Sequence, residues 1–302
     1  MKRLIALMIC LMTVTAFAYA EGNLFTLTAP SGAPAIAVAK LAESDPEHFR
    51  FIAADTIAAE FSKNEADFII APINAGAKLF KAGKSTYILG AVITQGNLVF
   101  ASQREGFSMD DINGAKIMLF GENTINASVA LFVLEKKGIT PSEVEYLAGA
   151  AETQALLMND AESIVMTAEP AVTAAKIRNE KITSIPLTEQ LNLLTGNNGY
   201  AQAGLFIRAE TLNKDPDGVR EFLASVKMSA DAVSTGLDSV VKAAAALEIL
   251  PNEKVAAAAI PNCGIIYTAA ADAKELVEFT ANIDLSQFGG AVPADDFYYA
   301  EK

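Results

Sequence analysis

Short apolar segments alternate with helix-forming segments along the first two thirds of this 302-residue chain, and this alternation constrains the fold more than any other feature. The clearest apolar segment covers residues 67–72, with the sequence DFIIAP. A nearly continuous apolar strand of this kind is typical of a parallel sheet that helices cover on both faces. We therefore predict an α/β fold made of doubly wound, mostly parallel sheets.

Neither charge nor composition changes sharply along the chain, so the sequence offers no linker between two consecutive domains. A chain of this length is expected to form about two domains. We therefore predict two lobes that share the chain: residues 21–103 and 204–302 form lobe one, and residues 104–203 form lobe two. Two crossover segments, around Ala101-Ser102 and Gly204-Leu205, are expected to join the lobes and to act as hinges.

Local patterns predict several individual elements. Residues 35–43 are rich in alanine and predict one helix, and residues 140–143 (TPSE) have the form of a capping box, the pattern that begins many helices. From residue 217 onward the chain is predicted to be almost wholly helical, with helices near residues 217–235, 238–249, 253–259 and 272–281.

Residues 1–20 have the pattern of a secretory signal peptide: a basic start, an apolar run over residues 4–17, and the small-x-small sequence Ala18-Tyr19-Ala20. The apolar run is shorter than the roughly 20 residues that span a bilayer as a helix, which disfavours the alternative of a retained membrane anchor. Cys10 lies inside the run, where it does not fit a lipoprotein signal. We therefore expect a periplasmic protein, exported by a cleaved signal peptide, whose mature form begins at Glu21.

The charge and the residue counts exclude several classes of function. The chain has 36 acidic and 23 basic residues, a net charge of -13; loss of the two basic residues in the signal peptide leaves 21 minus 36, or -15. Nucleic-acid binding requires a basic face and is not expected. One histidine and two cysteines cannot form a zinc site built from four thiolates or a histidine-rich metal cluster, and neither a metal nor a cofactor is expected.

An enzyme is the main alternative to a binding protein. The chain has no Gly-x-Ser-x-Gly elbow and no phosphate-binding loop. His48 follows polar residues 45–47 and is predicted to lie at the surface, and Cys263 is predicted to be a buried apolar residue. Glu122 and Glu169 could form a carboxylate pair, although the helix dipole also favours acids at both positions. We therefore expect no catalytic residues.

Four stretches resemble the solute-binding proteins of ABC importers; they are residues 66–83 (beginning ADFIIAP), residues 87–98 (YILGAV followed by GNL), residues 111–117 (DINGAKI) and residues 155–170 (ALL through EP). The nitrate/sulfonate/taurine and thiamine-pyrimidine-precursor group is the most similar, over residues 24–210 in order. The resemblance implies a type II periplasmic-binding-protein fold, in which two crossover segments join the lobes and a ligand lies between them. It also implies a monomer that captures a small organic molecule and delivers it to the permease of an ABC importer. The alternatives are a periplasmic enzyme on the same scaffold and a sensor-associated binding protein.

Ligands of open α/β sheets lie beyond the carboxyl ends of the strands, where helix N-termini present unpaired N–H groups. Six loops occupy such positions in the predicted element order, and for each loop ordinary turn or capping chemistry is the alternative explanation. The predicted ligand-binding residues are Ser31, Gly32, Asn74, Ala75, Thr94, Gln95, Gly96, Asn123, Thr124, Glu169, Asn198 and Tyr200. Tyr200 could stack on a ring of the ligand or cover the hinge.

None of the six loops contains Arg or Lys, the side chains that most often hold anionic groups. The net charge also disfavours the approach of a free anion. We therefore expect a neutral, zwitterionic or cationic ligand, although helix N-termini alone can bind anions.

Overall fold

The computed structural model describes residues 25–301, and the predicted signal peptide lies outside the described residues. The described chain forms two β-sheets with helices packed on them. The strands are β1 (Leu27–Pro30), β2 (Phe49–Ile52), β3 (Phe68–Pro72), β4 (Tyr87–Thr94), β5 (Leu98–Ser102), β6 (Lys116–Phe120), β7 (Glu143–Leu147), β8 (Ile164–Ala168), β9 (Thr183–Pro186), β10 (Ala203–Arg208) and β11 (Ile265–Ala269).

Helices connect most of these strands. The helices are α1 (Ala33–Ile36), α2 (Ala39–Ser44), α3 (Ile57–Lys63), α4 (Ile73–Lys81), α5 (Ile125–Lys136), α6 (Ala150–Asn159), α7 (Ala171–Arg178), α8 (Leu187–Thr195), α9 (Ala209–Lys214), α10 (Pro216–Thr235), α11 (Leu237–Ala246), α12 (Glu253–Ala259) and α13 (Lys274–Ile283). Within residues 25–301, no helix has both the length and the apolar character needed to cross a membrane.

The first sheet has the strand order β11-β4-β10-β3-β1-β2, and the second has the order β7-β6-β8-β5-β9. Strands β1 to β4 run in one direction in the first sheet, and β6 to β9 do so in the second. Strands β5, β10 and β11 are reversed. The reversal of β5 and β10 has a simple cause, because each of them begins where the chain arrives from the other sheet. The predicted α/β fold with two mostly parallel sheets is confirmed.

The chain crosses between the sheets at residues 95–97 and again at residues 196–202. The predicted crossing points are therefore wrong by several residues, because Ala101-Ser102 lies inside β5 and Gly204-Leu205 lies inside β10. Strand β5 pairs with β8 and β9 along its length, so it belongs to the second sheet and not to lobe one. The polar residues after β5 mark the C-terminal end of that strand and not the crossing between the sheets. The sequence alone does not show which sheet a strand joins.

The capping-box prediction at residues 140–143 is also wrong, because Glu143 is the first residue of β7. Pairing of β7 with β6 outweighs the local helix signal. A capping box does form at Ser108, whose backbone N–H and hydroxyl both donate to Asp111 Oδ2, at 2.7 and 2.9 Å. It begins the short 3-10 helix Met109–Ile112.

The four helices predicted near the C-terminus are present as α10 to α13. The prediction omitted β11, a five-residue strand between α12 and α13 whose pairing with β4 is a tertiary contact. It also omitted α8 and α9. The single helix predicted over residues 35–43 is divided into α1 and α2.

One apolar cluster extends through both sheets. It contains Leu89 and Phe206 of the first sheet and Phe100 and Ile117 of the second, all of them fully buried. Burial of apolar side chains of this size stabilises the fold by about 1.5–3 kcal/mol each. The cluster therefore packs the two sheets together around the crossovers.

Candidate functional site

The facing edges of the two sheets meet at the first crossover. Strand β4 ends at Thr94, and residues 95–97 form a short polar loop after it. Strand β5 then begins at Leu98, which pairs with Ala168, the last residue of β8. The parallel strands of both sheets end at these edges, so the loops that follow them and the N-termini of α4, α5 and α7 lie here. This edge is where ligands of open α/β sheets bind.

Gln202, in the second crossover, is the centre of a hydrogen-bond network. Its side-chain Nε2 donates to Asn97 Oδ1 at 2.8 Å and to Asn126 Oδ1 at 3.2 Å. Its backbone N–H donates to the Thr94 carbonyl, and its carbonyl accepts from the N–H of Ile73, both at 3.0 Å. One residue therefore connects both crossovers with the first turns of α4 and α5.

Asn97 extends this network to the second sheet. Its carbonyl accepts from the backbone N–H of Glu169 at 2.9 Å, and its Nδ2 donates to the Glu169 carbonyl at 2.8 Å. These two bonds fix Glu169, which follows β8, at the first crossover.

The carboxyl group of Glu169 is buried, with 7% of the residue exposed. It accepts hydrogen bonds from the Thr173 hydroxyl at 2.9 Å and the Thr173 N–H at 3.3 Å. Burial raises the pKa of Glu169, and the hydrogen bonds from Thr173 and the charge of Lys176 only partly oppose that effect. Within residues 25–301 it has no ion-pair partner. The Glu169 carboxyl group can accept a hydrogen bond from a ligand or, when ionised, form an ion pair with a positively charged group of the ligand.

Asn74 lies in the first turn of α4, next to Ile73, which is bonded to Gln202. The Asn74 side chain is buried, and its Oδ1 has no hydrogen-bond partner among the described residues. A buried polar group without a partner costs about 1–3 kcal/mol. An atom of this kind beside the network indicates a position where a ligand or a water molecule supplies the missing donor.

The sequence profile of the NMT1/THI5-like family matches residues 62–235, more than half of the chain. The chain belongs to the NMT1/THI5-like family. This agrees with the group suggested by the sequence resemblance. A comparison with curated protein sequences finds no match.

Several solved structures share the fold of this NMT1/THI5-like chain. An ABC transporter from Parabacteroides distasonis is 18% identical, with a TM-score of 0.76 over 92% of this chain and 99% of that one. The periplasmic aliphatic sulphonate binding protein SsuA from Escherichia coli is 13% identical, with a TM-score of 0.68 over 92% and 94%. The alkanesulfonate-binding protein SsuA from Xanthomonas axonopodis pv. citri, bound to MOPS, is 11% identical, with a TM-score of 0.64 over 93% and 99%. The likeness establishes the periplasmic-binding-protein fold.

The structure of the NMT1/THI5-like chain brings seven of the predicted site residues to the crossovers: Asn74, Thr94, Gln95, Gly96, Glu169, Asn198 and Tyr200. Tyr200 is fully buried, and its ring packs so closely on Gly96 that a Cβ there would lie 2.4 Å from Tyr200 Cε1. Gly96 also has a φ of +93°, which a residue with a side chain rarely adopts. Tyr200 therefore covers the crossover in this structure, where it has no free face for stacking.

Among the described residues, the other predicted residues have no side-chain hydrogen bond to Gln202 or Asn97. Ser31 and Gly32 precede α1, and Ser31 is exposed with its N–H bonded to the Ile52 carbonyl at 2.8 Å. Asn123 is exposed and has a φ of +57°, a conformation that Asn tolerates better than most residues. The remaining two are Ala75, half-buried in α4, and Thr124, whose hydroxyl donates to the Gly121 carbonyl. Asn198 lies in the second crossover, where it is exposed.

Gln202, Asn126 and Asn97 were not among the predicted site residues, although Asn97 belongs to one of the six loops. The prediction stopped at Tyr200 and Thr124, each two residues short of the side chain that enters the network. A polar residue directly before the apolar strand β10 was the available signal for Gln202. No local pattern indicates that it pairs with Asn126, 76 positions away.

Two pockets are present in the described chain, and neither is lined by the network residues Asn97, Asn126 and Gln202. One of about 490 Å³ borders both crossovers and is lined by Gln95, Asn198 and Gly264, among others. The larger, of about 980 Å³, lies against the second sheet and α6, and its lining includes Arg104 and Lys116. Neither contains Asn74 or Gln202, so pocket size alone does not identify the candidate site.

The groups considered for catalysis or metal binding are not assembled into a site. Within residues 25–301, no cluster of three or more His, Cys, Asp or Glu residues could hold a metal ion. The Cys263 thiol is buried and donates to the Ala259 carbonyl at 3.3 Å; burial raises its pKa, which keeps the thiol protonated. His48 lies near the surface, with Nδ1 2.8 Å from Asp45 Oδ1.

Proposed function

We propose that this protein is an exported solute-binding protein that holds a small organic molecule between two lobes and delivers it to an ABC importer. Lobe one consists of residues 25–94 and 203–301 with the first sheet, and lobe two consists of residues 98–195 with the second sheet. Residues 95–97 and 196–202 are the hinges, and the protein acts as a monomer. The observation that carries the proposal is the network around Gln202, which links both crossovers to the facing edges of both sheets.

The chemistry of the network supports a ligand that lacks a strong negative charge. Amide groups of Asn74, Asn97, Asn126 and Gln202 surround the crossovers, and the nearby acidic group is Glu169. The six loops at the sheet edges contain no Arg or Lys. A sulphonate, the ligand named for two of the structural neighbours, would depend here on helix N-termini alone. The proposed ligand is therefore neutral, zwitterionic or cationic.

The test begins with native mass spectrometry of the purified protein, which detects a ligand that remains bound. A thermal-shift screen then compares neutral, zwitterionic, cationic and anionic metabolites, because a ligand that binds only the folded state raises the unfolding temperature. We expect stabilisation by a compound of the first three classes and a smaller radius of gyration in X-ray scattering when it binds. Stabilisation by sulfonates alone would contradict the proposed ligand charge, and no stabilisation in any class would contradict the solute-binding function.

A further inference from the structure

A C-terminal segment connects the two sheets without being a crossover. This strap, residues 280–288, begins in α13, where the Thr280 hydroxyl accepts a hydrogen bond from the backbone N–H of Ala201 at 2.8 Å. It ends in the 3-10 helix Leu285–Phe288, which packs against α4 and contributes the buried Phe288 to the apolar cluster. The strap is therefore anchored at the second crossover and on lobe one.

Between these anchors the strap contacts lobe two. The hydroxyl of Ser128, in α5, donates a hydrogen bond to Asp284 Oδ2 at 2.8 Å, across 156 positions of the sequence. The other oxygen of Asp284 accepts from the N–H and the hydroxyl of Ser286, at 3.1 and 2.6 Å. The carboxylate is thus held by its own strap on one side and bound by lobe two on the other.

The chemistry of this contact favours a bond that holds the lobes together. Burial raises the pKa of Asp284, but hydrogen bonds from Ser286 and Ser128 outweigh burial and leave the pKa below its ordinary value. The Ser128 hydroxyl has one proton and two acceptors within reach, Asp284 Oδ2 at 2.8 Å and the Thr124 carbonyl at 3.1 Å. The charge and the shorter distance favour the bond to Asp284. Hydrogen bonds to an ionised acceptor are stronger than those between neutral groups.

We infer that the Ser128–Asp284 bond is a latch that favours the closed arrangement of the two lobes. Any rotation about residues 95–97 and 196–202 that separates α5 from the strap has to break this bond, because Asp284 moves with lobe one. The latch acts without a solute in the site. It lowers the fraction of open molecules from which solute binding begins, and it slows the opening that releases a solute.

The test measures lobe separation in the purified protein without added solute. Spin labels on Ala54→Cys and Ala151→Cys, two exposed positions on opposite lobes at the facing edges, report a distance distribution by pulsed electron resonance. The mature form that begins at Glu21 lacks Cys10, and Cys263 is fully buried. We expect Ser128→Ala to raise the ratio of open to closed molecules about tenfold to a hundredfold, as expected for loss of one hydrogen bond to a charged group.

Two control variants make the result specific. Ser128→Thr keeps the hydroxyl and should give the wild-type distribution. Ser286→Ala removes a hydrogen bond from the same carboxylate but within the strap, and should leave the lobe distance unchanged. An unchanged distribution in Ser128→Ala, or an equal shift in Ser286→Ala, would overturn the latch. Because no solute is used, either result leaves the proposed solute-binding function to be decided by its own test.

Discussion

At the scale of single residues, Gln202 carries the most connections in the candidate site. Gln202→Ala leaves Asn97 Oδ1 and Asn126 Oδ1 without their shared donor. We expect a loss of about 1–3 kcal/mol in the free energy of unfolding, measured by urea denaturation, and weaker binding of any solute that bridges the lobes. The control is Asn123→Gly, which keeps the positive φ at an exposed position and should change stability by less than about 0.5 kcal/mol. Equal losses in the free energy of unfolding of Gln202→Ala and Asn123→Gly would mean that the network does not stabilise the fold.

Glu169 gives a prediction about pH at the same scale. Because burial raises its pKa in the folded protein, the folded state binds more protons than the unfolded state between the two pKa values. The contribution of Glu169 to the free energy of unfolding is therefore lost as the pH rises from the ordinary pKa of glutamate through the pKa of Glu169 in the folded protein. Glu169→Gln should make the protein more stable than wild type at pH 7 and leave the two equal at pH 3, as measured by urea denaturation at each pH. Lower stability of Glu169→Gln at pH 7 would show that the ionised carboxylate is favourable in the fold.

At the scale of elements, the position of α4 depends on Gly76. A Cβ at this position would lie 2.3 Å from the ring of Phe206 in β10, so only glycine allows the first turns of α4 to pack this closely. Gly76→Ala should cost about 1–3 kcal/mol by overpacking, which exceeds the roughly 1 kcal/mol that alanine gains in helix propensity. Chemical denaturation measures the difference in the free energy of unfolding between Gly76→Ala and the wild type. Gly149→Ala is the matched control, because its Cβ would meet only the exposed Glu152 side chain, at 3.2 Å.

A double variant tests the cause of that effect. Phe206→Leu removes the ring atoms that the new Cβ would strike, so Gly76→Ala should cost less in the Phe206→Leu background than in the wild type. An equal cost in both backgrounds would assign the effect of Gly76→Ala to something other than contact with Phe206.

At the scale of the whole molecule, the proposed role requires export. The sequence Ala18-Tyr19-Ala20 predicts cleavage before Glu21. Expression of the full chain in a two-membrane bacterium should yield a periplasmic protein whose intact mass lacks residues 1–20. Replacing Ala18 and Ala20 by bulky residues should block cleavage and leave the precursor attached to the membrane. A mass that includes a diacylglyceryl group at Cys10 would show a lipid anchor instead.

The sequence by itself determined the α/β class, the positions of most strands and helices, and the resemblance that the family match confirms. These features depend on local patterns: apolar runs such as that of β3, and capping and turn residues between them. The loops at the strand ends follow from the same patterns, because parallel strands end at one edge of a sheet. Asn74, Thr94 and Glu169 were accordingly found among the residues at the crossovers.

Only the tertiary structure decided which sheet each strand joins and which polar side chains meet. Strand β5 belongs to the second sheet because of its pairing with β8 and β9, and β11 exists as a strand because of its pairing with β4. The bonds of Gln202 to Asn97 and Asn126 connect residues 105 and 76 positions apart. Such contacts depend on the strand order of the whole fold, and the residues around each partner in the sequence carry no information about that order.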